Sequence, residues 1–248
     1  MAALTSIPLG QPEASAQFLR RVGGIAAMLL GAALLADIAV FAAYVSSTGV
    51  TVPGDNPAAQ PVAFAHQLAN GAASPFWIWY LVLAGLAVFA FTTVESLADH
   101  LSVAGSRMPI RALGASALVI YLLISLTSAT IERQAGSSVL TQSELVTSIP
   151  VLFGVLMPVL LGSFNLLLAG WIVTVSWDGW RTTALPRWLS VLGGLTSLVL
   201  LAGVTGAAGV EILAAPWLIA AGLWMLTHSA GALARHRVYP AELSHGDS

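Results

Sequence analysis

Apolar residues fall in six long runs along this chain, separated by short polar intervals. The first follows Arg20 and Arg21 and continues to about Val45, and the second covers Pro75 to Val94. The third covers Ala112 to Thr130, the fourth Ile149 to Thr174, the fifth Trp188 to Val210 and the sixth Ala214 to Leu233. Crossing the hydrocarbon core of a bilayer takes about 20 predominantly apolar residues, and each run is of that order. Helices this apolar on every side have no place in a soluble core of this size. The pattern therefore predicts an all-α integral membrane bundle of about six transmembrane helices over residues 18–237. Residues 1–17 and 238–248 are polar and read as tails. The first run is also too long for the apolar core of a signal peptide, about 7–15 residues, so it is expected to be retained as a helix.

The polar intervals carry their own signals. Residues 46–74, the longest connection, contain Gly54, Asp55, Asn56, Pro57 and Pro61 and no arginine. Within it, Pro61–Leu68 reads equally well as a short helix on the membrane surface or as plain loop. Trp77, Trp79 and Tyr80 open the second run at the level of an interfacial aromatic belt. Glu95, Asp99, His100, Arg107 and Arg111 form a charged loop, and Glu132, Arg133 and Glu144 lie in the next one. Between the fourth and fifth runs, Ser176–Trp177–Asp178–Gly179–Trp180–Arg181 reads as a loop, followed by a turn at Leu185–Pro186–Arg187–Trp188. Pro158, near the middle of the fourth run, removes a backbone donor and is expected to kink that helix. Gly24, Ala27, Gly31 and Ala32 in the first run, and Gly193, Gly194, Ser197, Gly203 and Gly206 in the fifth, predict closely approaching helix faces.

Composition sharpens the class. Of 248 residues 57% are hydrophobic and only 8% charged, against roughly 25% charged in soluble domains. The absence of cysteine excludes disulfides, thiolate metal sites and a cysteine nucleophile. All nine basic residues are arginine, so a lysine Schiff base and a P-loop lysine are excluded as well. Arg20, Arg21, Arg107, Arg111, Arg181, Arg187, Arg235 and Arg237 fall on one side of a six-span topology, and only Arg133 on the other. Basic residues mark the cytoplasmic side, so both termini are expected in the cytoplasm and the bundle in the cell inner (cytoplasmic) membrane. No repeat relates the first three runs to the last three.

The segment Leu166–Leu–Leu–Ala–Gly–Trp171 with Leu185–Pro–Arg–Trp–Leu–Ser–Val–Leu–Gly193 resembles the bacterial membrane proteins of the domain-of-unknown-function family numbered 4386, and Arg20–Arg–x–Gly–Gly24 is compatible with it. The resemblance covers about a quarter of the chain. It implies a multi-pass bacterial membrane protein and brings no catalytic residues with it.

Four residues are candidates for a polar site inside the membrane. Asp37 lies about 22 Å along the first helix at 1.5 Å per residue. An ionisable group there costs about 2.5–3.5 kcal/mol on insertion scales and usually faces the bundle interior. It serves either proton or cation coupling or a structural hydrogen bond to a neighbouring helix. Arg133, with Glu132 and Glu211, lies at the outer ends of spans, where Asp37 also reaches; the four form one polar cluster or four separate interfacial charges. Asn165 and His228 lie at similar depths in the fourth and sixth runs and either pair around a small molecule or make structural bonds. Only His228 among the histidines is well inside a run, which argues against a bis-histidine haem, and no cofactor is expected. Intramembrane protease and hydrolase motifs are missing from the sequence. Two functions fit: a structural or regulatory membrane subunit acting through lipid, a protein partner or a second copy, or a small transporter using Asp37. An enzyme ranks below both, and nothing in the pattern points to nucleic acid.

Overall fold

The computed structural model describes residues 11–48, 61–62, 76–101, 107–136, 142–205 and 209–228. Among these no strand occurs. The helices are α1 (Gln11–Thr48), α2 (Phe76–His100), α3 (Arg107–Gly136), α4 (Gln142–Val151), α5 (Met157–Thr182), α6 (Arg187–Ala202) and α7 (Ala215–His228). A π turn at Leu152–Leu156 joins α4 to α5, and 3₁₀ turns at Gly203–Thr205 and Val210–Ala214 lie between α6 and α7. Six helices are long and apolar enough to cross a membrane: Gln17–Val40, Trp77–His100, Arg107–Gln134, Val146–Thr182, Arg187–Thr205 and Val210–His228. The chain is thus an all-α, multi-pass membrane bundle whose surroundings are lipid.

The helices pack in a ring. α1 lies against α2 and α7, α2 against α3, α3 against α5 and α5 against α6; α6 meets α7 and the 3₁₀ turn before it. Small residues let two of these pairs close up, since lipid offers no hydrophobic drive between helices and packing must supply it. A Cβ added at Gly222 would lie 2.5 Å from the Gly24 carbonyl oxygen, and one at Gly31 3.0 Å from that of Ala215. A Cβ at Gly193 would lie 1.9 Å from Ser176 Oγ. The expected role of Gly24, Ala27 and Gly31 is therefore observed, whereas Ala32 is exposed and Gly194 faces open space. Thr93 Oγ1, buried, donates to the Gly23 carbonyl oxygen at 2.8 Å and ties α2 to α1. Outward faces carry Leu29, Val159, Leu166, Leu195 and Leu198, as apolar as the interior.

Several boundaries differ from the sequence reading. α1 already begins at Gln11, inside the segment read as a tail. The segment Ser176–Arg181 is the last part of α5 and not a loop. Its Asp–Gly pair signals a turn locally, but Val175, Ser176 and Gly179 are buried against the bundle and hold the helix to Thr182. The chain reverses just beyond, where Thr183 takes the left-handed region (φ 54°), uncommon for a β-branched residue. Glu95, Asp99, Arg107 and Arg111 likewise stand on the ends of α2 and α3 rather than in a loop. The fifth run is divided at Gly203, so that a 16-residue helix plus a 3₁₀ turn makes the crossing. Near Pro158 the helix widens: the Met157 N–H donates to the Leu152 carbonyl, five residues back. That π turn loosens the backbone where the proline ring would otherwise meet the carbonyl four residues before it. The proposed surface helix Pro61–Leu68 lies outside the described residues beyond residue 62, as do residues 1–10, 206–208 and 229–248.

Candidate functional site

The ring of antiparallel helices sorts the charges into two ends. One carries the start of α1, the end of α2, the start of α3, the end of α5, the start of α6 and the end of α7. Six arginines stand there, Arg20, Arg21, Arg107, Arg111, Arg181 and Arg187, with Glu13, Glu95, Asp99 and Asp178. The opposite end carries Asp37, Glu132, Glu144 and Glu211 with Arg133.

At the acidic end Asp37 is half-buried and accepts a hydrogen bond from Trp79 Nε1 at 2.6 Å. Arg133 is exposed, with its guanidinium carbon 5.8 Å from the centre of the Trp77 ring. The anticipated neighbourhood of Asp37 and Arg133 thus resolves into two separate contacts with α2, each made to a tryptophan. The Tyr121 ring is buried and stacked on Phe164, with ring centres 5.0 Å apart. Glu211 Oε1 accepts the Gly209 N–H at 3.1 Å, while its Oε2 and Glu132 Oε2 are buried without a hydrogen bond among the described residues. No hydrogen bond or ion pair joins Asp37, Glu132, Arg133 and Glu211 to one another among the described residues.

Asn165 is fully buried in α5. Its Nδ2 donates to the Gly203 carbonyl oxygen at 3.1 Å, and its Oδ1 has no partner among the described residues. Gly203 is where α6 gives way to a 3₁₀ turn, so this amide supplies a donor to a carbonyl at the end of a helix. A Cβ at Gly203 would come within 2.7 Å of that Nδ2. His228 does not join it. It is exposed in the last turn of α7, stacked on Trp224 with ring centres 5.5 Å apart. The pairing fails for a geometric reason: Gly24 meets Gly222 and Leu226, which puts the His228 end of α7 beside the start of α1, at the arginine-rich end. Asn165 lies level with the far end of α6.

Sequence reasoning missed three features. His100 Nδ1 is buried, and its ring meets Trp224 edge-on at 5.1 Å. Around Gly193, Ser176 Oγ and Trp217 Nε1 converge, both buried and both without a hydrogen bond among the described residues. The sequence pattern marks Trp79 only as an interfacial aromatic, although the antiparallel order of the first two runs puts its indole at the Asp37 end. Two cavities among the described residues bear on this geometry. One of about 20 Å³ is enclosed by Leu30, Ala90, Ala117, Phe164, Trp171 and Leu218 and offers carbon alone. It has room for one water but no groups to hold it, and apolar cavities of this kind stay dry. The other, about 290 Å³, is an open notch beside Pro158, Gly162 and Val204. Asp37, Asn165, His228 and Arg133 line neither cavity. Compared with known proteins, the chain matches no family model, no curated protein and no solved structure.

Proposed function

We propose that this bundle is a structural or regulatory subunit of the cell inner membrane, working through contacts with a membrane partner or a second copy rather than by moving a solute. One observation carries the reading: among the described residues, the cavity inside the bundle is small and apolar, and the polar residues that would have to serve a pathway are scattered outside it. Asp37 is engaged by an indole, Asn165 by a helix-end carbonyl and His228 by Trp224, each within its own neighbourhood. The arginine-rich end is the cytoplasmic one in this proposal, which puts both termini inside. Membership of the family numbered 4386 belongs to the same proposal.

The test is functional reconstitution beside native isolation. The protein in liposomes enclosing a pH dye is expected to carry no proton flux above empty liposomes, and Asp37→Asn to change nothing. Extraction of native membranes into lipid discs is expected to return the chain in a particle larger than the monomer and of fixed composition. A flux that Asp37→Asn abolishes would replace this reading by the transporter.

A further inference from the structure

At the arginine-rich end the six guanidinium groups are not equivalent. Arg107 pairs with Asp99, and Arg111 pairs with Glu95 at 2.5 Å and with Asp99 at 3.3 Å. Arg181 and Arg187 form no ion pair among the described residues, and both are exposed. The nearest carboxylate in sequence, Asp178, does not turn to them with both oxygens: its Oδ2 is buried without a partner. Instead the Arg187 guanidinium carbon stands 5.8 Å from the centre of the exposed Trp180 ring. Trp177, Trp180 and Arg181 share one face of α5 by their three- and four-residue spacing. Below them on α5 the exposed residue is Val173, and below Trp188 on α6 they are Val191 and Leu195. Two guanidinium groups without an ion pair among the described residues, beside a tryptophan belt, thus sit directly above an apolar wall.

We infer that the Arg181–Arg187 corner seats the phosphate of an anionic phospholipid, with the acyl chains lying along the exposed faces of α5 and α6. The guanidinium fork matches phosphate oxygens two at a time, which an ammonium cannot do. The aromatic rings hold the position at headgroup depth. The apolar wall distinguishes a lipid from a free phosphate, because only the lipid has something to lay against Val173, Val191 and Leu195. A protein carboxylate is a weaker fit: this same end already presents two arginines satisfied in that way, and Arg181 and Arg187 stand instead beside exposed tryptophans and an exposed apolar face. The inference goes beyond the proposed function and holds whether or not the bundle has a protein partner.

The experiment uses the full chain in a nonionic detergent, titrated with short-chain phosphatidylglycerol, with phosphatidylcholine of the same acyl length, and with inorganic phosphate. Binding is read from the thermal unfolding midpoint and from lipid retained in native mass spectra. Phosphatidylglycerol is expected to raise the midpoint and to be retained, whereas the other two are not at equal concentration. Each arginine near an anionic surface contributes about 1 kcal/mol, so Arg181→Gln with Arg187→Gln is expected to weaken phosphatidylglycerol binding by about 30-fold. Arg107→Gln, at the same end but already paired, should leave it unchanged. Arg181→Lys with Arg187→Lys keeps both charges, and with them the orientation of the loop, so it decides the matter if the glutamine variant does not accumulate. An intermediate loss is expected, and wild-type affinity in the lysine variant would overturn the seat. Equal binding of phosphatidylcholine would overturn the anionic headgroup, and equal binding of inorganic phosphate would overturn the lipid.

Discussion

The two ends of the bundle hold their charged groups by different means. At the arginine-rich end the carboxylates of α2 meet the guanidinium groups of α3 in three ion-pair contacts. At the acidic end the described carboxylates outnumber arginine, and two of them rest on neutral donors, Asp37 on an indole N–H and Glu211 on a backbone N–H. The one arginine described there leans on a tryptophan face. Counting ion pairs would assign the stability to the first end, and burial reverses that. Arg107, Asp99, Arg111 and Glu95 keep between 38% and 48% of their side-chain surface open, and exposed pairs contribute at most about 1 kcal/mol. Asp37 lies deeper, where losing a donor leaves a carboxylate that water only partly recovers, at about 1–3 kcal/mol. The single bonds at the second end therefore carry more of the stability than the exposed pairs at the first.

Reversing the charge at the arginine-rich end should have the largest effect, because basic residues near span ends bias orientation. Arg181→Glu with Arg187→Glu removes two basic residues next to span ends and adds two acidic ones. The expected result is a mixed population or poor accumulation. Because the chain lacks cysteine, Ser143→Cys in α4 supplies a single label at the acidic end. Labelling from one side of the membrane in the parent and from both sides in the variant is expected. Uniform one-sided labelling in the variant would mean that neighbouring spans fix the orientation without these arginines.

The next test sets the ends against each other in stability. Trp79→Phe keeps most of the ring but removes the donor to Asp37, and should cost about 1–3 kcal/mol in detergent. Arg111→Gln breaks both contacts of the more connected arginine and should cost less than about 1 kcal/mol. The reverse order would sink the comparison drawn above. Asp37→Asn, which still offers an oxygen to the Trp79 indole, should lose less than Trp79→Phe.

Why the six spans were legible and the contacts were not follows from the range of each signal. An apolar run of about 20 residues is a local property, so the crossings at Gln17–Val40 or Trp77–His100 could be read directly. The sorting of arginines needs only the order of the runs. Helix ends are harder, because their last turns are polar by composition and helical by contact. Glu95 and Arg111 read as loop residues until the α2–α3 hairpin brings them together. Partners are hardest, since they depend on how each helix is rotated and shifted along its neighbour. Depth along the runs alone suggests Asp37 with Arg133 and Asn165 with His228. Rotation gives Asp37 to Trp79, and shift carries His228 to the other end. The break at Gly203 carried no signal beyond one glycine among several, and its meaning comes from the Asn165 amide that meets it.

The smallest expected effect is also the sharpest statement about the acidic end. If Asp37 and Arg133 were a pair, Arg133→Gln would rescue part of the loss caused by Asp37→Asn, since removing both partners of a shielded pair costs less than leaving one charge alone. In the geometry described, Asp37 answers to Trp79 and Arg133 to Trp77, on the same helix but through different rings. Asp37→Asn should then reflect only a weakened indole bond. Arg133→Gln should reflect only the loss of an exposed cation–π contact, about 0.5–1 kcal/mol. The double variant should equal the sum of the two within about 0.5 kcal/mol. Thermal stability in detergent of the parent, both single variants and the double variant gives the coupling directly. A coupling of 1 kcal/mol or more, with the double variant more stable than the sum of its parts, would restore the ion pair. It would also make the two ends alike in how they hold charge.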